Sequence, residues 1–145
     1  MESKNGWHPL TRLDSDGLNY ATRFKILYSA KGIYVLFDGE DNRITTSFDQ
    51  DFQDLFKADV FEVFSHPDTT MPLYLEYEIN ALNKELFFPY GIFSSLQNVP
   101  PASGTVWHAN FYRLDYDSGS MVKWSWAPIE HSFHEFRKFG SIVFE

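Results

Sequence analysis

The chain has 145 residues, no cysteine, 43% hydrophobic and 19% aromatic residues, and a formal net charge of −8 from 12 Lys+Arg against 20 Asp+Glu. That length suits one domain spanning 1–145, and the apolar content excludes disorder driven by low hydrophobicity. The missing thiols exclude disulfides, thiolate metal sites and cysteine nucleophiles, the negative charge disfavours a phosphate backbone as partner, and no apolar run nears the ~20 residues that span a bilayer.

Residues 1–20 mix Gly, Pro, Asp and Ser and read as an irregular lead-in. They lack the basic head and apolar stretch of a signal peptide, so the expectation is a cytosolic chain or one whose leader has been removed. Phe24–Tyr28 and Ile33–Phe37 are β-branched and aromatic, and Ser29-Ala30-Lys31-Gly32 joins them as a hairpin. Both faces of the second strand are apolar, as in a strand covered on two sides. Residues 43–58 place Phe48, Phe52, Leu55 and Phe56 at roughly helical spacing, which fits a short helix or an irregular loop equally well.

Val60–Phe64 is a further strand, stopped by His66-Pro67-Asp68. In Leu73–Asn80, residues Leu73, Leu75, Tyr77 and Ile79 form an apolar face, and Tyr74, Glu76, Glu78 and Asn80 a polar one. Residues 94–105, with Pro100-Pro101 and Gly104, read as a loop. Trp107–Tyr116 is strand-like, with Phe111, Arg113 and Asp115 on one face and Tyr112, Leu114 and Tyr116 on the other. Lys123–Trp126 and a short strand within Phe139–Phe144 complete the chain. Short strands, frequent turns and little helix predict an all-β, antiparallel, jelly-roll-like β-sandwich with room for one short helix.

Glu62, Glu76 and Glu78 sit on otherwise apolar strands. If those strands are neighbours, Glu62 and Glu78 share a face, and Arg113 is expected to reach it. Carboxylates that accept and a guanidinium that donates suit sugar hydroxyls. Spacing alone favours the plainer reading, a solvated sheet face with weak charge pairs. A sugar ring also needs a flat aromatic platform, for which Phe56, Trp107, Trp124 and Trp126 are candidates, although aromatics equally fill small sandwich cores. Paired carboxylates raise the possibility of glycoside hydrolysis, but sequence does not fix their separation. His131 and His134 are spaced i, i+3 without a third ligand, which favours surface or packing roles. Acidic turns at Asp38, Glu40, Asp41 and Asn42, or at Asp49, Asp51 and Asp54, offer oxygen ligands for calcium, and neither matches an EF-hand. Walker, dinucleotide-binding and nucleophile-elbow motifs are absent.

Taken in order, Thr22–Tyr28, Ile33–Phe37 with Glu40-Asp41, Asp59–Phe64, Tyr74–Asn80, Trp107–Asp115, Trp124–Pro128, Phe133-His134 and Phe139-Gly140 resemble a family 9 carbohydrate-binding module, in particular the bacterial family-9-like domains. The resemblance implies a β-sandwich that binds saccharide without catalysis, acts beside glycoside hydrolases, is secreted or periplasmic, and in some members carries structural calcium. It places the family's strand carboxylate on Glu62, its first aromatic platform near Phe56, a polar ligand contact on Glu78 and a further one on Arg113, with the second platform at Trp124 or Trp126. Glu78 stands where the xylanase-linked modules tend to have a basic residue. Family members also continue past Leu86 with a long insert, whereas Phe87-Phe88-Pro89-Tyr90 follows here at once, so the chain has a shortened middle or lacks residues there.

The expected function is therefore non-catalytic binding of a mono- or oligosaccharide through aromatic stacking by Phe56, Trp124 and Trp126 and hydrogen bonds from Glu62, Glu78 and Arg113. No organic cofactor is expected, and the expected partners are a carbohydrate and an associated glycoside hydrolase, with no nucleic acid or membrane. The rivals are an accessory or catalytic glycosidase domain, and a ligand-less, protein-binding or haem-binding sandwich.

Overall fold

The computed structural model describes residues 6–14, 17–29, 32–87 and 96–145. Part of the first hairpin turn, Ala30-Lys31, lies outside the described residues, as do Phe88-Pro89-Tyr90 and the opening of the loop expected at 94–105. Among the described residues, ten strands form two antiparallel sheets: β1 (His8–Pro9), β2 (Thr11–Arg12), β3 (Thr22–Ser29), β4 (Gly32–Gly39), β5 (Val60–His66), β6 (Leu75–Asn80), β7 (Glu85–Phe87), β8 (Val106–Asp115), β9 (Val122–Ser125) and β10 (Gly140–Val143). The smaller sheet has the order β1-β3-β4, and the larger β2-β9-β8-β5-β6-β7, with β10 pairing against the first half of β8. β7 runs without a break through Leu86 and Phe87, opposite Glu78 and Tyr77. Among the described residues no helix is long and apolar enough to cross a membrane.

The sandwich closes because the alternating residues of both sheets that face inward are aromatic or aliphatic. Phe24 stacks on Phe111 with centroids 3.8 Å apart, and Phe37 on Phe61 at 4.6 Å, each pair joining the two sheets. Trp107, Trp124, Ile142 and Phe144 complete this core. At Gly140 a Cβ would come within 2.5 Å of the Trp126 ring, so only glycine lets β10 approach that indole.

Two expectations are corrected and one open alternative is decided. The second face of β4, with Tyr34 and Leu36, is exposed rather than covered, because only one layer packs against the hairpin. The segment 43–58 contains a single 3-10 turn at Leu55–Lys57 and is otherwise irregular. The polar face of β6 is not solvated: Glu78 and Asn80 are buried, while Leu75, Tyr77 and Ile79 on the apolar face are only half-buried.

That inversion has a local cause. Two irregular segments lie across the outer face of the large sheet, each tied down by a buried amide. Asn80 donates from Nδ2 to the Phe48 carbonyl at 2.8 Å and to Thr46 Oγ1 at 3.1 Å. Asn110 donates to the Ala127 carbonyl at 3.1 Å and accepts from its N–H at 2.8 Å. These bonds satisfy amides that would otherwise be costly to bury.

Candidate functional site

The cleft between those two segments opens over the outer face of β5, β6 and β8. The register sets Glu62 directly opposite Glu78 on β6 and opposite Tyr112 on β8. Directly opposed side chains share one face of a sheet with Cβ atoms about 5 Å apart. The cleft encloses about 360 Å³ and is lined by Phe56, Glu62, Phe64, Glu76, Glu78, Leu114, Met121, Lys123, Ile129, His131, Ser132, Phe133 and His134. That volume falls within the ~300–1,000 Å³ of small-molecule sites.

Each wall has an aromatic held in place. Tyr116 OH donates to the Phe56 carbonyl at 2.8 Å, fixing the 3-10 turn while the Phe56 ring stays 42% exposed. On the other side Phe133 stacks on Tyr112 at 4.0 Å, and Tyr112 OH donates to the Phe133 carbonyl at 2.9 Å. Tyr74 OH and His134 Nδ1 are hydrogen-bonded at 2.7 Å, and Glu76 Oε2 lies 4.0 Å from the same nitrogen.

The floor is acidic and buried. Glu62 is 2% and Glu78 1% exposed, and Glu78 Oε2 is buried without a hydrogen-bond partner among the described residues. Burial raises the Glu62 carboxyl well above its ordinary 4.5, and repulsion from Glu78 and then Glu76 adds to it. Burial likewise pushes Glu78 from 4.5 up to about 8, with its contact to Glu76 next in size. Among the described residues neither carboxylate forms an ion pair, although Lys123, His131 and His134 border the cleft.

Of the six residues expected at a site, the structure brings together Phe56, Glu62 and Glu78. It does not bring Arg113 to them. Arg113 pairs with Phe61 and Trp124 in register, which puts it on the inner face of the sheet, opposite to Tyr112 and the cleft. There it is 3% exposed and binds Asp115 at 2.6 Å, Asp41 at 3.3 Å and Thr22 Oγ1 at 3.0 Å. Trp124 is 1% exposed beneath that guanidinium. Trp126 packs edge-on against Phe24 and Phe111. Both indoles face the core because β9 presents the same parity of residues inward as β8.

The second wall is supplied by Phe133, which sequence reasoning left without a site role, and by His131 and His134, to which it gave surface or packing roles. Their segment has no strand periodicity; the usable signal was Asn110, a buried amide on β8 that needs backbone partners and finds them at Ala127.

The acidic turns also partly converge. Carboxylate oxygens of Asp41, Asp59 and Asp117 lie within 4.8 Å of one another. Asp59 accepts from the N–H groups of Thr45 and Tyr116, and Asp117 from the Tyr20 hydroxyl and the Arg43 N–H, while Asp117 Oδ1 is buried without a hydrogen bond among the described residues. This is an oxygen-only donor set, the chemistry calcium takes. Of the turns expected to supply ligands it uses Asp41 alone.

Neither a family model nor a curated protein matches the sequence. Solved structures do match its fold. A protein from Bacteroides uniformis described as a candidate carbohydrate-binding protein aligns at 14% identity and TM-score 0.77, over 97% of this chain and 86% of that one. A family 9 carbohydrate-binding module from Caldicellulosiruptor kristjanssonii in complex with cellotriose aligns at 14% identity and TM-score 0.74, over 97% and 82%. A family 9 module from the same organism in complex with glucose aligns at 16% and 0.73, over 97% and 84%. At these identities the likeness establishes the fold: an antiparallel β-sandwich of the family 9 type, as the sequence resemblance implied.

Proposed function

We propose that the chain binds a mono- or short oligosaccharide in the cleft over Glu62 and Glu78, without turning it over. The observation that carries this reading is the pairing of an exposed ring, Phe56, with a buried carboxylate floor in one small-molecule-sized cleft. Apolar sugar faces stack on Phe56 and Phe133, and hydroxyls bond the carboxyls below. The fold it shares with sugar-bound modules supports the same assignment. Within it, the ligands are fragments of plant or gut polysaccharides met in carbohydrate catabolism, and a glycoside hydrolase is the partner the resemblance implies. A structural calcium falls to Asp41, Asp59 and Asp117, away from the cleft, and a calcium-dependent rise in melting temperature reports it.

Phe56→Ser is expected to weaken sugar binding about tenfold, or ~1.4 kcal/mol, with the melting temperature nearly unchanged because the ring is half in solvent. Calorimetric titration with mono- and oligosaccharides checks it, and absence of binding to any sugar at millimolar concentration defeats the reading.

Glycoside hydrolysis is the second reading, since a carboxyl that keeps its proton near neutrality suits a general acid. Hydrolysis wants two carboxyls driven apart, one protonated and one ionised. Here burial drives Glu62 and Glu78 the same way, which favours binding. Turnover of an aryl glycoside that Glu62→Gln abolishes would reverse that preference.

A further inference from the structure

We infer that the chain carries a second site, for a divalent transition-metal ion, between His66 and His108. The register sets these residues directly opposite each other on β5 and β8, so their side chains share the outer face of the large sheet. Their ring centroids are 6.4 Å apart, with the planes at 81°. Both rings line a cavity of about 470 Å³, together with Met71, Phe136 and Arg137, and this cavity shares no lining residue with the cleft over Glu62 and Glu78.

His66 is held in the form a metal ligand takes. It is only 4% exposed. Its Nε2 lies 2.7 Å from the Met71 carbonyl oxygen, which only accepts, so in the neutral ring Nε2 carries the proton and Nδ1 the lone pair. That Nδ1 is buried without a hydrogen-bond partner among the described residues, and an acceptor left so is costly. A ligating imidazole donates its other N–H to a backbone carbonyl or similar acceptor, which fixes the tautomer and the ring orientation. The carbonyl is itself fixed by a tied turn. Asp68 Oδ1 accepts from the Thr70 N–H at 3.0 Å and the Thr70 hydroxyl at 2.6 Å, Asp68 Oδ2 accepts from the Gln97 N–H at 3.2 Å, and the Met71 N–H donates to the Asp68 carbonyl at 3.2 Å.

An ion at about 2.0–2.1 Å from one nitrogen of each ring sets the centroids roughly 5–6.5 Å apart, according to the angle at the metal. The observed spacing lies at the open end of that range. Two imidazoles suit zinc, copper or nickel rather than calcium or magnesium, which take oxygen ligands. The remaining coordination positions fall to water.

The test is calorimetric titration of the whole chain with nickel, zinc and calcium chlorides, with electron paramagnetic resonance of the copper(II) complex. Nickel and zinc are expected to bind, calcium not to displace them, and the copper spectrum to show coupling to two imidazole nitrogens. His108→Ala, at a half-buried position, is expected to keep the wild-type melting temperature. It is expected to weaken nickel binding by more than the about 10- to 100-fold that loss of an outer partner costs. His66→Gln is expected to do the same to binding, and His131→Ala, beside Glu130 and Glu135, to leave it unchanged. Failure of nickel and zinc to bind at millimolar concentration overturns the site, as does binding that both His66→Gln and His108→Ala leave intact. Calcium that displaces nickel also overturns it, and assigns the ion to the oxygens of Asp41, Asp59 and Asp117.

Discussion

Arg113→Met is expected to destabilise the protein by about 3–5 kcal/mol and to lower its melting temperature by roughly 10–15 °C. The guanidinium lies at the centre of a closed set of contacts: Asp115 at 2.6 Å, Asp41 at 3.3 Å and Thr22 at 3.0 Å. The rings of Tyr20 and Trp124 lie 5.2 Å and 5.1 Å from its central carbon. Gly39 makes room for it, since a Cβ there would meet the guanidinium at 2.8 Å. Removing the cation strands Asp115, which is fully buried and already spends its other oxygen on the Asp117 N–H. A buried carboxylate without its partner is the costly outcome, more than the loss of attraction itself. Adding Asp115→Asn to Arg113→Met is therefore expected to recover part of the loss, and Arg113→Lys to be poorly tolerated because a point charge cannot span the fork. Thermal or urea melts read all three variants; a loss below about 1 kcal/mol for Arg113→Met would show that the ion pair is nearly neutral. Sugar affinity measured below the melting temperature is expected to survive, since the residue faces away from the cleft.

The strands were legible because β3, β4, β5, β6, β8 and β10 fall on segments rich in aromatic and aliphatic residues, whose inward positions include Phe24, Ile26, Val35, Phe37, Phe61, Val63, Trp107, Phe111 and Ile142. β1, β2 and β7 are two or three residues long and too short to show a period. Alternation also settles which residues share a face, and it puts Arg113 with Phe111, away from Tyr112. What it does not give is which face is covered. Glu78 reads as solvated because β6 alternates polar with apolar, yet the covering layer comes from segments 44–58 and 127–139. Their anchoring depends on side-chain amides at Asn80 and Asn110 rather than on any pattern of their own. The Glu62–Glu78 pair was visible as two carboxylates on adjacent strands; the second wall at Phe133 was not, because an irregular segment's position is set by tertiary hydrogen bonds. The two tryptophans were ambiguous for a plain reason: an indole serves equally as a core residue or a platform, and only the parity of β9 decides.

Glu78→Gln is expected to stabilise the protein at pH 9 by roughly 3 kcal/mol while changing little at pH 4.5. The folded chain holds the Glu78 proton to about 8, against an ordinary 4.5, chiefly because the group is buried and secondly because Glu76 adjoins it. Between those values the folded state binds more protons than the unfolded one, so stability falls as pH rises. The contribution is complete below about pH 4.5 and is lost on the way up through about 8. Glu62, raised for the same reason, acts in the same direction. Glutamine has the shape of the protonated acid and nothing to ionise, so it removes the Glu78 share of that slope and leaves the Glu62 share. Glu135 works in the opposite sense: N–H bonds from Glu130 and His131 hold it down to about 2, so its contribution is present above about 4.5 and is lost as pH falls from there through about 2. Wild type and variant are melted from pH 4.5 to 9. A wild-type melting temperature that stays level across that range, or a variant that falls as steeply as wild type, would show that the Glu78 carboxyl ionises without penalty and that the cleft floor is wetter than its burial implies.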